Sequence, residues 1–309
     1  MVLCAAFAYA PIYGKAPFEP PAGKILVLIG QDNKTIEEYL DSVKIVPAGF
    51  MTYTSIQEMT GLDSKSPDYG AGTTFAGKLL KKYPGSVIQI GLYMVDGLED
   101  TIAGKYDANI DKMAKWFKKT NCPVFLRVGY EFDGPHNHYD PETYKKAYRY
   151  TVDRLRKAGV TNVAYVWHSY AYSIKGKLDD WYPGDEYVDW VGISYFSGPK
   201  SYRDNVAAFA KALGKPVMIG EATPQGIGTS YGQVSWNRWF RDFFKYVADN
   251  DIKIISYINS NWEDQAMWQG QNWQDARVQA NKIVKEKWLE EISRDKYLNA
   301  SKDLYNMLK

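Results

Sequence analysis

The chain carries little cysteine, little histidine and almost no net charge. Its 309 residues include two cysteines, Cys4 and Cys122, and three histidines, His136, His138 and His168. That inventory excludes a disulfide framework and a cysteine-rich zinc site. Lys and Arg total 38 against 36 Asp and Glu, a formal charge of +2, so no field advertises a nucleic acid or an anionic membrane as partner. No apolar run after the first ten residues approaches the roughly 18 residues of a membrane span. Internal repeats, low-complexity stretches and linkers are absent, which favours one domain and a monomer. The turn Gly30-Gln31-Asp32-Asn33 lacks a dinucleotide fingerprint, and nothing in the sequence asks for a cofactor or a metal.

What is present is an ordinary globular balance, 45% apolar and 24% charged, with an excess of rings. Aromatics reach 15%, including 10 Trp and 25 Tyr, more than a core of this size needs. A flat apolar face with a polar edge suits sugars as well as cores, so part of the excess points to carbohydrate. Residues 1–22 form an N-terminal segment. Its opening, MVLCAAFAYA, ends in Ala-Tyr-Ala like the tail of a secretory signal, and the expected location is secreted or periplasmic.

From residue 23 to 309, strand-like runs alternate with amphipathic helical segments, the pattern of a parallel sheet with crossover helices. The strands are expected at Ile25 to Gln31, Ala48 to Tyr53, Val87 to Met94, Val124 to Glu131, Val163 to His168, Val188 to Phe196, Val217 to Glu221 and Ile252 to Ser260. Helical stripes run through Ile36, Tyr39, Leu40 and Val43, and through Trp236, Trp239, Phe240, Phe243 and Phe244. Asp140 and Pro141 open a helix that Gly159 stops, Ser235 is expected to cap another, and Gly214 ends a third. Leu178 to Asp185 is turn chemistry. The fold class is therefore α/β, a single (β/α)8 TIM barrel with a shortened crossover between strands five and six. Lys282 to Lys309 reads as a last helix closing it.

Catalytic groups in such a barrel sit at the C-terminal ends of strands. Strand four ends Arg127-Val128-Gly129-Tyr130-Glu131 and strand seven ends Met218-Ile219-Gly220-Glu221. Two carboxylates on different strand ends suit glycosidic chemistry, one giving a proton and the other attacking or stabilising the anomeric carbon. Alternation would place Arg127, Gly129 and Glu131 on one face, with Arg127 holding the carboxylates from below. A rival reading makes His136, His138, Asp133 and His168 a metal cage. Another is a barrel that binds a glycan without cutting it.

The segments PVFLRVGYEFDG around Glu131, NVAYVWHS at Asn162 to Ser169, YPGDEYVDWVGISYF at Tyr182 to Phe196 and KPVMIGEATP around Glu221 resemble glycoside hydrolase family 26. The opening IGQDNKTIEEYL fits as well. The resemblance implies a retaining β-mannanase-like endo-hydrolase with Glu131 as acid/base and Glu221 as nucleophile, acting on a polysaccharide or oligosaccharide. It also implies that Tyr195 borders the nucleophile and that Trp262 is a platform beneath the sugar, with Trp167 as a second one. Arg127, Tyr130, His136 and His168 complete the expected substrate-binding set. Trp181, Trp268 and Trp273 either extend the cleft or cover the barrel top. Family mannanases place His before the acid/base and Trp shortly after it. Here Tyr130 precedes Glu131 and Pro135-His136-Asn137-His138 follows, which leaves β-1,3-xylan, mixed-linkage β-glucan and algal galactan open beside mannan.

Overall fold

The computed structural model describes residues 16–172 and 176–308, so the signal-like opening and Cys4 lie outside the described residues. Eight parallel strands close on themselves: β1 (Ile25–Gly30), β2 (Gly49–Ser55), β3 (Val87–Tyr93), β4 (Val124–Val128), β5 (Val163–Ser169), β6 (Trp190–Tyr195), β7 (Val217–Ala222) and β8 (Ile254–Ile258). Closure is direct, since Leu28 of β1 pairs with Gly49 on one side and with Ser256 on the other. The (β/α)8 TIM barrel expected from the sequence is what forms. Between β5 and β6 the described crossover helix is four residues, Leu178–Trp181.

Alternation along each strand sorts side chains into two layers. Leu26, Leu28, Phe125, Ala164, Val166, Trp190, Met218 and Ile254 cluster as the lower barrel interior, stoppered by Phe18 from one end of the chain and by Leu304 and Leu308 from the other. Val27, Ile29, Tyr165, Trp167, Ile193 and Tyr195 belong to the separate layer between strands and helices. The sealed floor leaves polar chemistry to the upper ends of the strands.

Local signals set most helix ends. Asp140 accepts the Thr143 backbone N–H at 2.9 Å ahead of the Pro141–Lys157 helix, and Gly159 follows at φ +72. Ser235 does not cap. Its backbone is helical at φ −56, and Gln233–Ser235 runs through a π turn, Trp236–Phe240, into Arg241–Asp249. An N-cap needs extended backbone, so a serine inside the continuous segment has no cap to make. The last helix expected over Lys282 to Lys309 forms only as Lys282–Ile292; the chain then adds a short β9 (Tyr297–Leu298) beside β1 and a helical turn at Leu304–Met307.

Candidate active site

The two strand-end glutamates reach the barrel mouth by different irregularities. β4 stops at Val128, three residues short of the expected end, and Gly129 and Glu131 take left-handed backbone at φ +54 and +52. Simple alternation therefore does not place Glu131. A non-glycine residue with such backbone is strained and needs support. Asn137 supplies it, its Nδ2 donating to the carbonyls of Tyr130 at 2.8 Å and Glu131 at 2.9 Å. On β7 the register shifts: Ile193 pairs with Ile219, but Ser194 pairs with Glu221. Gly220 is the extra residue of a bulge that re-aims Glu221. Both carboxylates are nearly buried, 5% exposed for Glu131 and 6% for Glu221.

A continuous polar chain joins them. Arg127 Nη1 donates to Glu221 Oε1 in a tight ion pair and stands 3.1 Å from His168 Nδ1. His168 Nε2 is 3.1 Å from Ser194 Oγ, and Ser194 Oγ donates to Glu131 Oε1 at 2.5 Å. His136 Nε2 meets the other oxygen of Glu131 at 2.9 Å. The Tyr53 and Tyr130 rings flank the guanidinium at 5.2 and 5.1 Å, where Arg127 Nε and Nη2 have no hydrogen-bond partner. Ring faces are attractive surroundings for a cation.

Glycine makes the room. A Cβ on Gly91 would lie 2.5 Å from the Tyr53 ring, and one on Gly192 or Gly220 would lie 2.8 Å from the His168 ring.

Burial pushes the Glu221 carboxyl up; Arg127 opposes this, Glu131 adds to it, and the net direction is upward. Burial works against the Arg127 cation, but Glu221 and Tyr53 together outweigh it and the guanidinium stays charged. Burial, then Arg127, hold His168 far below the usual imidazole range, so it is neutral. For His136 burial pulls downward, but the hydrogen bond to Glu131 together with the charges of Glu131, Glu221 and Asp133 outweighs it, and its net shift is upward.

Asp133 is pushed up to about 6 by burial, although it accepts from Ser169 Oγ and the Tyr170 N–H, each at 2.6 Å. An acid raised from 3.8 binds more protons folded than unfolded, so its contribution to stability declines as pH rises through that window. Asp133→Asn should flatten this decline, on the order of 3 kcal/mol across it. Urea midpoints at pH 4 and pH 7 measure the effect, and parallel wild-type and variant profiles refute it.

The structure divides the expected substrate-binding set. Arg127, Tyr130 and His136 surround the carboxylates. His168 lies in the same constellation but fully buried beneath it, so it touches protein groups and not sugar. Trp167 cannot be a platform. It is the neighbour of inward-facing His168 on a strand, so it points outward, stacked on Phe132 with centroids 4.4 Å apart and packed on Phe209. Tyr195 likewise faces Trp239, Phe243 and Arg203 in the outer layer and does not border Glu221. Trp262 stands at the mouth, its Nε1 donating to Thr223 Oγ1 at 3.0 Å, but Trp268 and Trp273 cover it to 2% exposure. At that exposure it has no open face on which a sugar could stack. Trp181 is core, packed on Phe132 and Tyr144.

Trp167→Ala should therefore cost about 3–5 kcal/mol of stability with KM unchanged. Thermal melts beside Michaelis curves check this, and a raised KM in a stable protein would contradict the core assignment.

Tyr53 and Ser194 escaped the sequence reading. Tyr53 lies near the end of β2 with its ring against the Arg127 guanidinium. Ser194 shares the inward face with Gly192, two residues back. The strand-end rule would have found both if applied to hydroxyls as well as carboxylates. The histidine cage does not assemble: His136 is on Glu131, His168 is under it, and no group of three or more His, Cys, Asp or Glu among the described residues is placed to hold a metal.

A closed (β/α)8 barrel with two buried, hydrogen-bonded carboxylates at its upper mouth is the architecture of a barrel glycosidase. The model of glycosyl hydrolase family 26 matches residues 84–275, and the chain belongs to that family. It is an O-glycoside hydrolase, of a family whose mechanism is typically retaining. Beta-1,3-xylanase TXYA of Vibrio sp is 34% identical over 93% of this chain and 69% of its own length. A Beta-1,3-xylanase of Alcaligenes sp is 33% identical over 93% of this chain and 67% of its own. Among solved structures, a GH26 beta-mannanase from Bacteroides ovatus superposes with a TM-score of 0.66 at 15% identity, covering 92% of this chain and 93% of that one, a likeness of fold.

Proposed function

We propose that the protein is a retaining endo-acting β-1,3-xylanase with Glu221 as nucleophile and Glu131 as acid/base. The observation that carries the roles is the asymmetry of the two carboxylates. Glu221 is paired with a permanent cation, the setting of an ionised nucleophile, whereas Glu131 is bonded to the neutral hydroxyl of Ser194 and to an imidazole. For the substrate, the two relatives named β-1,3-xylanases, similar over nearly the whole chain, favour that glycan over mannan. Tyr130, standing before Glu131 where family mannanases carry His, agrees with that choice.

In the first step a Glu221 oxygen forms a bond to the anomeric carbon as the glycosidic C–O bond breaks. The leaving oxygen keeps that electron pair and takes the proton of Glu131. In the second, Glu131 removes a proton from water, the water oxygen bonds to the anomeric carbon, and Glu221 leaves as carboxylate. Arg127 holds Glu221 in line, and the Tyr53 ring packs on the guanidinium that does so.

A reducing-end assay on β-1,3-xylan, β-1,4-xylan, mannan, glucomannan, mixed-linkage β-glucan and algal galactan, with Glu221→Ala as blank, tests this. Release of short oligosaccharides from β-1,3-xylan by the wild type alone is expected. Preferred cleavage of mannan would reassign the substrate. Silence on every glycan would turn the reading toward a binding-only barrel.

A further inference from the structure

The polar chain beneath the carboxylates has a direction. An arginine only donates, so Arg127 Nη1 obliges His168 Nδ1 to accept. His168 is neutral and carries one proton, which must therefore sit on Nε2 and point to Ser194 Oγ. The Ser194 hydroxyl, having accepted, passes its own hydrogen to Glu131 Oε1. Every bond from Arg127 to Glu131 runs the same way, and its end is a donor aimed at a carboxylate. His168 is sealed from solvent, and the bare α-carbons of Gly192 and Gly220 leave its ring the space it occupies.

We propose that His168 and Ser194 are positioning residues that transmit the state of the Arg127–Glu221 pair to Glu131, readying Glu131 to act as base once Glu221 has become a glycosyl ester. The inference rests on the roles proposed for the two glutamates. In the free enzyme the charge of Arg127 is answered by Glu221. When Glu221 bonds to the sugar it loses its negative charge and keeps only an ester carbonyl, a weaker acceptor, while Arg127 stays a buried cation with its Nη1 3.1 Å from His168 Nδ1. The imidazole is polarised more strongly, its Nε2–H becomes a better donor, and Ser194 in turn binds the ionised form of Glu131 more tightly. Glu131 has just surrendered its proton and must now take one from water. The relay favours that state at the step that needs it.

Other groups also face Glu131. His136 bonds its second oxygen, Asp133 and Tyr130 lie on the same stretch of chain, Tyr170 follows β5, and Glu221 and Arg127 complete the ring of charge. None of these is removed by Ser194→Ala, so that variant isolates the relay. A hydrogen bond to the ionised form lowers a carboxyl's pKa, and its loss raises it. The alkaline limb of kcat/KM, where the free enzyme loses the acid's proton, should move up by roughly one pH unit in Ser194→Ala. Ser194→Thr keeps the hydroxyl and should keep the wild-type limb. A merely structural role would lower the rate and leave the limb in place.

The decisive measurement follows Glu131 by carbon NMR in protein labelled at Glu side chains, free and after trapping with a 2-fluoro xylosyl fluoride. Glu131→Gln assigns the signal, and mass spectrometry locates the trapped sugar. Trapping should lower the Glu131 titration midpoint in wild type, and the drop should shrink by at least half in Ser194→Ala and His168→Leu. An equal drop in all three proteins overturns the relay, because it leaves only the through-space loss of the Glu221 charge. A sugar trapped elsewhere than Glu221, or no sugar trapped in an active enzyme, overturns the underlying assignment, and the relay with it.

Discussion

Glu221→Ala should lower turnover on the preferred glycan by about 10⁴-fold or more, close to 5.5 kcal/mol of transition-state stabilisation. The covalent intermediate cannot form without the carboxylate. Structure adds a second consequence, because the variant leaves the Arg127 guanidinium buried without its anion. Removing one partner of a buried pair costs about 3–5 kcal/mol of stability, so the melting temperature falls together with activity. Glu221→Gln keeps shape and hydrogen bonding and separates the two losses: it should recover part of the stability and almost none of the turnover. Azide entering the space left in Glu221→Ala attacks from the nucleophile's side of the sugar. An activated aryl glycoside should then yield the glycosyl azide of inverted anomeric configuration. Turnover within tenfold of wild type would remove Glu221 from its role.

How far the sequence foretells this site is best judged at consecutive residues. Strand positions were legible because Val, Ile and Tyr runs alternate with helical stripes, and helix ends because Asp140 and Gly159 do local work. Which face a strand residue takes was not. Trp167 and His168 both ended an apparent strand and both looked functional, yet neighbours on a strand point to opposite sides, and only His168 lies inside. The same parity separates Tyr195, in the outer layer, from Ser194, bonded to Glu131. Parity is fixed by the register of the whole closed barrel, and a run that is apolar on both faces does not reveal it. Glu221 shows the limit from another direction. A bulge at Gly220 sets its aim, and a lone glycine in a strand does not state whether it marks a bulge or makes room for a neighbour. Here it does both, since a Cβ on Gly220 would also meet His168.

The partnership of Arg127 shows the same dependence on closure. In the sequence it sits four residues from Glu131, and the expectation was that it would hold both carboxylates from below. The structure gives Arg127 to Glu221, 94 residues away, because Glu131 has left the strand by way of a left-handed turn. Glu131 is thereby free of a fixed countercharge and answers to Ser194 and His136, groups that tolerate it in either protonation state. A carboxyl that must be acid in one step and base in the next needs such surroundings.

Glu131→Ala should accordingly fail in a manner that depends on the leaving group. On the polysaccharide, whose leaving oxygen needs a proton, turnover should drop about 10²- to 10⁴-fold. On an aryl glycoside with an acidic phenol the first step needs little help, so the glycosyl-enzyme should build up and appear as a burst followed by slow release. The fold should survive the change, because alanine meets the same φ of +52 that glutamate already bears and Asn137 binds only backbone there. Azide should speed release by attacking where Glu131 would have activated water, and the product should be the glycosyl azide of retained configuration. The two alanine variants therefore give azides of opposite anomeric form, and that pair of products separates nucleophile from acid/base more sharply than either loss of rate. The same azide anomer from both proteins would mean that one of the roles lies on another residue.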